Sequence, residues 1–359
     1  MALPFISSQS KKKREQIVAI DLGGRSTKAV HMQRKGDTYS LLSYCVMDAP
    51  IFEKNISVDL LSDHLKAVFQ ALGTKTKFVT LALGVNESIV RQTEMPSIPV
   101  EDMRQILKTS TKNYLQQDLP GYTFDCHFVV SRAGGGQDGV RTNGSASSQK
   151  LKVLVGGAKK QYVDDLEASA KKAGLIPDQL MPGLIGPVNS FELAMPDYFQ
   201  KDAVALVDIV FKNTSICLLN RGDLIVSRVV NIGGDRLTQG LAESMGISYA
   251  EAEGIKVGMP VEVQGMLEPL LTPLGRELRA SVDFFEHQQD RTVTQVFVSG
   301  GSARSEFIMK GLETELMAPC KPWNPTTNLQ LALPEGQAAE VEQVGSQLAV
   351  AIGAASSTF

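Results

Sequence analysis

The sequence predicts a two-lobed α/β protein whose first lobe is interrupted by a smaller α-β-β-α module. The chain has 359 residues, more than the roughly 250–300 that one hydrophobic core usually supports. Short β-branched runs alternate with amphipathic helical patterns in both halves. One strand–turn–strand pattern also occurs twice, since residues 17–30 and 204–218 align at a constant offset that pairs Asp21 with Asp208 and Thr27 with Thr214.

The first segment begins with a polar, basic stretch that we expect to be a flexible arm. Buried strands are short and rich in β-branched residues, and Gly73 has the position of a helix C-cap. The elements predicted here are an arm at 1–15, strands at 17–22 and 26–33, a helix at 57–73 and a strand at 77–84.

The next segment predicts a compact module of about 80 residues. Met95–Pro99 predicts a rigid extended connector, because proline restricts the residue before it to extended backbone. After it we expect a helix at 101–117, strands at 122–131 and 150–158, and a helix at 159–173. The polar loop 132–149 lacks the Lys-Ser/Thr of a phosphate-binding P-loop, so we interpret it as a mobile surface loop.

The second half repeats the strand-rich beginning and then becomes helical. We expect strands at 203–210, within 213–234 around the turn Asn220–Asp223, and at 295–301. Helical patterns cover 235–245, 248–257, 272–289, 303–317 and 340–355, with a loop at 319–328.

These elements predict five parts of the chain. They are the arm 1–15, a first lobe of 16–95 plus 176–202, an inserted subdomain 96–175, a second lobe 203–339, and a helix 340–359 that returns to the first lobe.

Composition excludes several classes of protein. The formal net charge is −3, which argues against a nucleic-acid-binding domain, since such domains carry clustered positive charge. The four cysteines and four histidines are scattered without metal-ligand spacing, which argues against zinc chemistry. No apolar run reaches the roughly 18 residues of a membrane helix, so we expect a cytoplasmic protein.

The first of the two repeated hairpins has the composition of a phosphate-binding turn. Gly23 and Gly24 allow a close approach of the backbone, and Ser26 follows them in the turn. A tight turn directs several N–H groups into one concavity that suits phosphate oxygens. Lys28 can neutralise phosphate charge.

Two acids and a third glycine turn complete the predicted site. Asp21 and Asp208 end equivalent strands, where both carboxylates can hold a hydrated Mg²⁺ that takes few protein ligands. Gly300, Gly301 and Ser302 join a strand to a helix, and their backbone can lie against a flat adenosine. The sequence therefore predicts a site for ATP or ADP with Mg²⁺ between the two lobes.

These motifs together resemble those of the actin-like ATPases, which share a ribonuclease H-like fold. Within that group the chain resembles the PilM family of type IV pilus assembly proteins, relatives of the division protein FtsA. IDLGGRSTKAV resembles the phosphate-1 hairpin, LVDIVFKNTSICLL the phosphate-2 hairpin and FVSGGSA the adenosine motif. The stretch 231–258 resembles the helical region of the second lobe that reaches the nucleotide, and the similarity covers about residues 16–356.

The resemblance implies further site residues and a partner. The residues it adds to the nucleotide site are Asn213, Thr214, Gly233, Gly234, Glu253 and Lys256. It implies a cytoplasmic scaffold that docks the cytosolic N-terminal tail of an inner-membrane PilN-like protein, in a groove between first lobe and insert. Other pilus assembly proteins, self-association and a peripheral membrane position through the partner are implied in the same way.

Three alternatives stay open. Val210 stands where the phosphate-2 motif usually has a glycine, and Phe211 follows it; this bulkier turn is compatible with a nucleotide-free scaffold. An FtsA-like filament former needs an amphipathic helix after the globular part, where this sequence has SSTF. A sugar or acid kinase needs a carboxylate base beside an acceptor hydroxyl, and no residue is singled out. Whether ATP is hydrolysed also stays open, with no catalytic residue assigned.

Overall fold

The computed structural model describes residues 14–51, 56–129, 150–259 and 261–359. The predicted arm lies outside the described residues except for its last two, and the predicted loop 132–149 lies wholly outside them. Arg14, at the end of that arm, donates to Asp178 Oδ1 at 3.1 Å and lies 3.7 Å above the ring of Phe78. This end of the predicted arm is therefore attached to the first lobe.

The described residues form fourteen strands in three sheets. The strands are β1 (Gln16–Leu22), β2 (Ser26–Lys35), β3 (Thr38–Asp48), β4 (Phe78–Leu83), β5 (Ser88–Pro96), β6 (Tyr122–Phe128), β7 (Lys150–Lys159), β8 (Ile176–Pro182), β9 (Ala203–Ile209), β10 (Thr214–Asn220), β11 (Asp223–Val230), β12 (Gln295–Ser299), β13 (Cys320–Pro322) and β14 (Gln330–Leu331).

Twelve α-helices in the described part of the chain surround these sheets. They are α1 (Val58–Leu72), α2 (Val100–Thr109), α3 (Thr111–Leu115), α4 (Lys160–Lys172), α5 (Gly186–Ala194), α6 (Pro196–Lys201), α7 (Gly234–Met245), α8 (Tyr249–Gly258), α9 (Gln264–Gln289), α10 (Glu306–Leu316), α11 (Glu335–Val344) and α12 (Ala349–Ser356).

The two larger sheets repeat one topology. The first has the order β14-β3-β2-β1-β4-β8 and the second the order β11-β10-β9-β12-β13. In each, an antiparallel hairpin is followed by a strand parallel to its first member: β1–β2 with β4, and β9–β10 with β12. The repeat predicted from the sequence is therefore present, and Asp21 and Asp208 occupy equivalent positions near the ends of β1 and β9.

Helices cover both faces of each large sheet, which gives each lobe its own core. Leu61 and Leu65 of α1 and Leu166 of α4 pack on one face of the first sheet, and α12 packs on the other. Helices α7, α9 and α10 cover one face of the second sheet. Phe191 of α5 belongs to the core on its opposite face.

The third sheet, β5-β7-β6, packs against α2 and α3. The predicted order of helix, two strands and helix is present as α2 and α3, β6, β7 and α4. Strand β5 joins the same sheet as an edge strand, and α4 packs with α1 on the first lobe. The boundaries of the five predicted parts stay predictions.

Several predicted elements differ from those observed. The predicted connector Met95–Pro99 begins inside β5, where Pro96 is tolerated because it ends an edge strand. The predicted helix 101–117 divides into α2 and α3 at Ser110. The predicted helix 272–289 begins earlier, at Gln264, despite Pro269 and Pro273. Buried leucines on one face of α9 explain why the prolines do not end it.

The last predicted helix, 340–355, is likewise divided. Helix α11 already starts at Glu335, and a short 3₁₀ segment, Gly345–Leu348, separates it from α12. The predicted loop 319–328 contains the short strand β13. Strands β3, β5, β8 and β14 and helices α5 and α6 were not predicted.

Candidate functional site: a cleft between two hairpins

A cavity of about 1290 Å³ lies between the two large sheets and is lined by residues of both. Thirteen of the fifteen residues predicted for the nucleotide and metal site line it: Asp21, Gly23, Gly24, Ser26, Lys28, Asp208, Asn213, Gly234, Glu253, Lys256, Gly300, Gly301 and Ser302. Residues far apart in the sequence, on elements of both lobes, therefore meet at one cleft.

The turn between β1 and β2 forms the first wall. A Cβ on Gly23 would lie 2.6 Å from the carbonyl oxygen of Ser26, so only glycine fits this backbone without a shift. Lys28 Nζ donates to that same carbonyl at 3.1 Å and lies 3.9 Å from Asp21 Oδ2. The turn thus holds one carboxylate and one ammonium group beside exposed backbone at Gly24.

The turn between β9 and β10 forms the opposite wall. The Val210 N–H donates to the carbonyl oxygen of Asn213 at 3.0 Å, which closes the turn. Neither Val210 nor Phe211 has a positive φ. Because the backbone is ordinary there, valine in place of the usual glycine adds side-chain bulk without backbone strain.

Thr214 and Gly233 do not line the cavity. The Thr214 side chain is fully buried, and its hydroxyl donates to the carbonyl oxygen of Ile232 at 2.7 Å. A Cβ on Gly233 would lie 2.5 Å from the carbonyl oxygens of Val210 and Phe211. Both residues therefore hold the segment before α7 against the second turn and support the cleft from behind.

The turn after β12 packs directly on the end of β9. Gly300 has φ +90°, and a Cβ there would lie 2.3 Å from the carbonyl oxygen of Ile209, so glycine is required. The Gly300 N–H donates to the carbonyl oxygen of Ser346 at 2.9 Å. Gly301 has open space around it, which leaves room for a ligand.

Helix α8 contributes a charged pair that hydrogen-bonds to α7. Lys256 Nζ lies 2.7 Å from Glu253 Oε2 and donates to Thr238 Oγ1 at 2.6 Å. It also donates to the carbonyl oxygen of Gly234 at 3.3 Å. Thr238 in turn donates to Glu253. This network fixes Glu253 and Lys256, two of the residues predicted for the nucleotide site, in the cavity wall.

Burial changes the ionisation of the acids at the strand ends. Burial raises the pKa of Asp21, and the charge of Lys28 opposes that rise. Burial raises the pKa of Asp208 to about 6, although its hydrogen bond from Ser299 Oγ at 2.8 Å lowers it. Asp21 contributes to this rise, since two nearby carboxylates disfavour each other's charge.

Glu253 behaves differently. Burial raises its pKa, but the hydrogen bonds with Lys256 and Thr238 and the positive charges of Lys256 and Arg25 together bring that pKa below its usual value. Glu253 is therefore a stable anion beside the cleft, whereas the two acids of the hairpins lack full compensation of their charge.

Four residues at the cleft were not assigned a role from the sequence. Ser299 holds Asp208, and Asn86 Nδ2 donates across the cleft to Asn213 Oδ1 at 3.3 Å. The guanidinium of Arg25 lies 5.5 Å from the ring centroid of Phe211. Arg25 carried a signal as a cation inside a glycine turn, and Phe211 as a departure from the phosphate-2 motif. The contacts themselves were not visible, because they join segments that are distant in the sequence.

A nucleoside phosphate with Mg²⁺ fits the groups present. Glycine backbone at Gly24 and Gly301, the cation Lys28 and the incompletely compensated acids Asp21 and Asp208 are the donor and acceptor types that phosphates and a divalent ion require. In the described ranges, no cluster of three or more His, Cys, Asp or Glu side chains is arranged to hold a metal. An ion here would therefore take water and phosphate oxygens besides the two carboxylates.

None of the helices within the described part of the chain combines the length and apolar character needed to cross a membrane.

Comparison with known proteins identifies one matching family. The family model described as type IV pilus assembly protein PilM matches residues 19–359. The cell division protein FtsA of Bacillus subtilis is 22% identical over an alignment of 261 residues, and the match covers 67% of this chain and 57% of FtsA. This chain therefore spans little more than half the length of that curated relative.

Solved structures share the overall fold. A structure described as the PilM–PilN type IV pilus biogenesis complex has a TM-score of 0.80 at 20% identity, covering 96% of this chain and 98% of that one. The ethanolamine utilization protein EutJ from Carboxydothermus hydrogenoformans has a TM-score of 0.53 at 14% identity, covering 99% and 92%. MreB5 of Spiroplasma citri bound to AMPPNP has a TM-score of 0.52 at 12% identity, covering 95% of each chain. These similarities show that the chain has the actin-like fold.

Proposed function

Because the chain belongs to the PilM family of type IV pilus assembly proteins, we propose that it is a nucleotide-binding scaffold of a type IV pilus or related envelope machine. It binds ATP or ADP with Mg²⁺ in the cleft and docks the cytosolic N-terminal tail of an inner-membrane PilN-like protein. The proposal places it in the cytoplasm, at the inner membrane only through that partner.

One observation carries the nucleotide part of the proposal. The two acid-bearing hairpins and the glycine turn Gly300–Gly301 line one cavity, although they are encoded in three distant segments. In the proposed complex the backbone of both hairpin turns and Lys28 bind phosphate oxygens, and the turn at Gly300 lies against the adenosine. Asp21 and Asp208 hold the Mg²⁺, which neutralises phosphate charge. AMPPNP in the related MreB5 structure supports this assignment.

The partner part is supported by the family and by the similar structure that contains PilN. Nucleotide acts on tail binding by changing how closely the two lobes approach. This requires that nucleotide and tail each bind the closer and the more open arrangement of the lobes with different affinity, and it requires no ATP turnover. Other pilus assembly proteins and a second copy of the chain are further proposed partners, and nucleic acid is not.

Replacing Asp21 tests the nucleotide site. We expect Asp21→Ala to abolish the Mg²⁺-dependent rise in melting temperature on adding ATP, because one of the two carboxylates for the ion is lost. The melting temperature without nucleotide should not fall, since burial already disfavours the charged form of this group. Thermal-shift titration with ATP, with and without Mg²⁺, measures both effects.

Asp37→Ala is the matched control, because Asp37 is a fully exposed acid in the turn between β2 and β3. It should respond to ATP as the wild type does. The site is wrong if Asp21→Ala shows the same ATP response as this control.

A further inference from the structure

Arg25 and Phe211 meet across the cleft. Arg25 is in the turn between β1 and β2, and Phe211 is in the turn between β9 and β10. The guanidinium carbon lies 5.5 Å from the ring centroid, and both residues line the cavity. This contact therefore joins the two predicted phosphate-binding turns, one from each large sheet.

Arg25 is a cation that no strong contact within the described residues holds, although its charge also acts on Glu253. Its side chain is exposed, and none of the ion pairs in the described part of the chain includes it. Its position is fixed through the backbone, because its carbonyl oxygen accepts the N–H of Ala49 at 2.9 Å. A cation–π contact at an exposed site is weak, so a phosphate can replace it.

The other cations assigned to the site are already engaged. Lys28 lies 3.9 Å from Asp21 and donates to the Ser26 carbonyl oxygen. Lys256 is paired with Glu253. A guanidinium presents a planar fork of donors that matches phosphate oxygens better than a lysine does.

We propose that Arg25 is the residue by which this cleft distinguishes a nucleoside triphosphate from a diphosphate. Without nucleotide it rests on Phe211, and with a triphosphate it leaves the ring and binds the terminal phosphate. The inference rests on the proposed function, because it requires nucleotide in this cleft.

Lys212 is the competing candidate, since it occupies the equivalent position in the repeated hairpin and also lines the cavity. It has no contact across the cleft within the described residues, whereas Arg25 already reaches the opposite turn. Arg25 is therefore the better placed of the two to bind a phosphate held between both turns.

Isothermal titration with AMPPNP and with ADP, both in Mg²⁺, tests the proposal through the ratio of the two dissociation constants. Arg25→Ala should weaken ADP binding by less than about threefold. It should weaken AMPPNP binding by about tenfold or more, which is the size of one lost charge-assisted hydrogen bond. Arg25→Lys should give an intermediate ratio, because it keeps the charge without the fork. Circular dichroism confirms that the variants are folded.

Phe211→Leu supplies a readout that a general loss of charge would not give. Removing the ring frees Arg25, so AMPPNP should bind about two- to fivefold more tightly. This gain should vanish in the double variant with Arg25→Ala. Arg291→Ala, an exposed arginine outside the cavity lining, should leave both dissociation constants unchanged.

Two results overturn the inference in distinguishable ways. If wild type binds neither nucleotide, the proposed function fails and this inference fails with it. If wild type binds both nucleotides but Arg25→Ala keeps the wild-type ratio of the two dissociation constants, only the assignment of Arg25 is wrong. The same conclusion follows if Lys212→Ala, and not Arg25→Ala, loses that ratio.

Discussion

Asp208 is the residue at which burial and function conflict most clearly. Its side chain is buried at the end of β9, with Ser299 Oγ at 2.8 Å as the hydrogen-bond donor and Asp21 as a second acid nearby. A buried carboxylate without a full counter-charge lowers the stability of the fold. Its retention here is understandable if a cation and phosphates supply the missing charge.

This conflict predicts a pH dependence. The pKa of Asp208 is raised to about 6 in the fold from a reference value of 3.8, so the folded state binds the proton more tightly than the unfolded chain. The loss of folding stability from burying the charged carboxylate is therefore complete above pH 6 and disappears as the pH falls toward 3.8. Without nucleotide, Asp208→Asn should exceed wild type in stability by about 3 kcal/mol at most at pH 7 and by much less at pH 4.5.

Urea unfolding of both proteins at several pH values measures this difference, and titrating groups that do not interact with Asp208 cancel in the comparison. A difference between wild type and Asp208→Asn that stays constant from pH 4.5 to pH 7.5 would contradict the assigned burial.

Most of the site was predictable at the residue scale, because its chemistry is local. Asp21, Gly23 and Gly24 follow one strand in the sequence, so the turn and its acid are visible without a structure. The supporting roles of Thr214 and Gly233 were not visible. They depend on close backbone contacts between segments that are separated in the chain.

At the scale of elements, α5 and α12 cross in close contact. A Cβ on Gly353 would lie 1.8 Å from the carbonyl oxygen of Gly186, so the two helices touch backbone to backbone. Asn189 Nδ2 also donates to the Gly353 carbonyl oxygen at 3.3 Å. Val350, one turn before Gly353, lines the cleft. The crossing of α5 and α12 therefore supports one wall of the cleft.

Gly353→Ala should therefore be strongly destabilising. The added methyl must separate α5 from α12, and overpacking of this kind costs about 1–3 kcal/mol or more. Gly336→Ala is the matched control, because Gly336 is also helical and has nothing within 4 Å of an added Cβ. It should be neutral or stabilising by up to about 1 kcal/mol. Urea unfolding compares the two, and equal stabilities would contradict the observed crossing.

The elements that the sequence predicted are those with a strong local pattern. Helix α1 has its N-cap at Ser57 and its C-cap at Gly73, and β1 and β9 are continuous apolar runs. Strands β3 and β5 were missed because each is only partly buried and mixes polar with apolar residues. The start of α9 was missed because proline is normally read as a helix breaker.

At the scale of the whole molecule, duplication gives the cleft its form. The strand orders β3-β2-β1-β4 and β11-β10-β9-β12 are the same, so each lobe presents an equivalent hairpin and acid. The repeat was visible in the sequence and predicted that the hairpins would meet. The proposed partner groove was not predictable residue by residue, since it would depend on how an insert lies against its lobe and no local motif marks it.

The most direct test of the account is a calorimetric titration of the full chain with a synthetic peptide of the PilN-like protein's cytosolic N-terminal tail, with and without ATP and Mg²⁺. The account predicts that the peptide binds and that ATP–Mg²⁺ changes its affinity by about 5-fold or more, the lower range of typical allosteric coupling. Asp21→Ala should keep peptide binding and lose the effect of ATP. Absence of peptide binding, both with and without ATP, would contradict the proposed scaffold function.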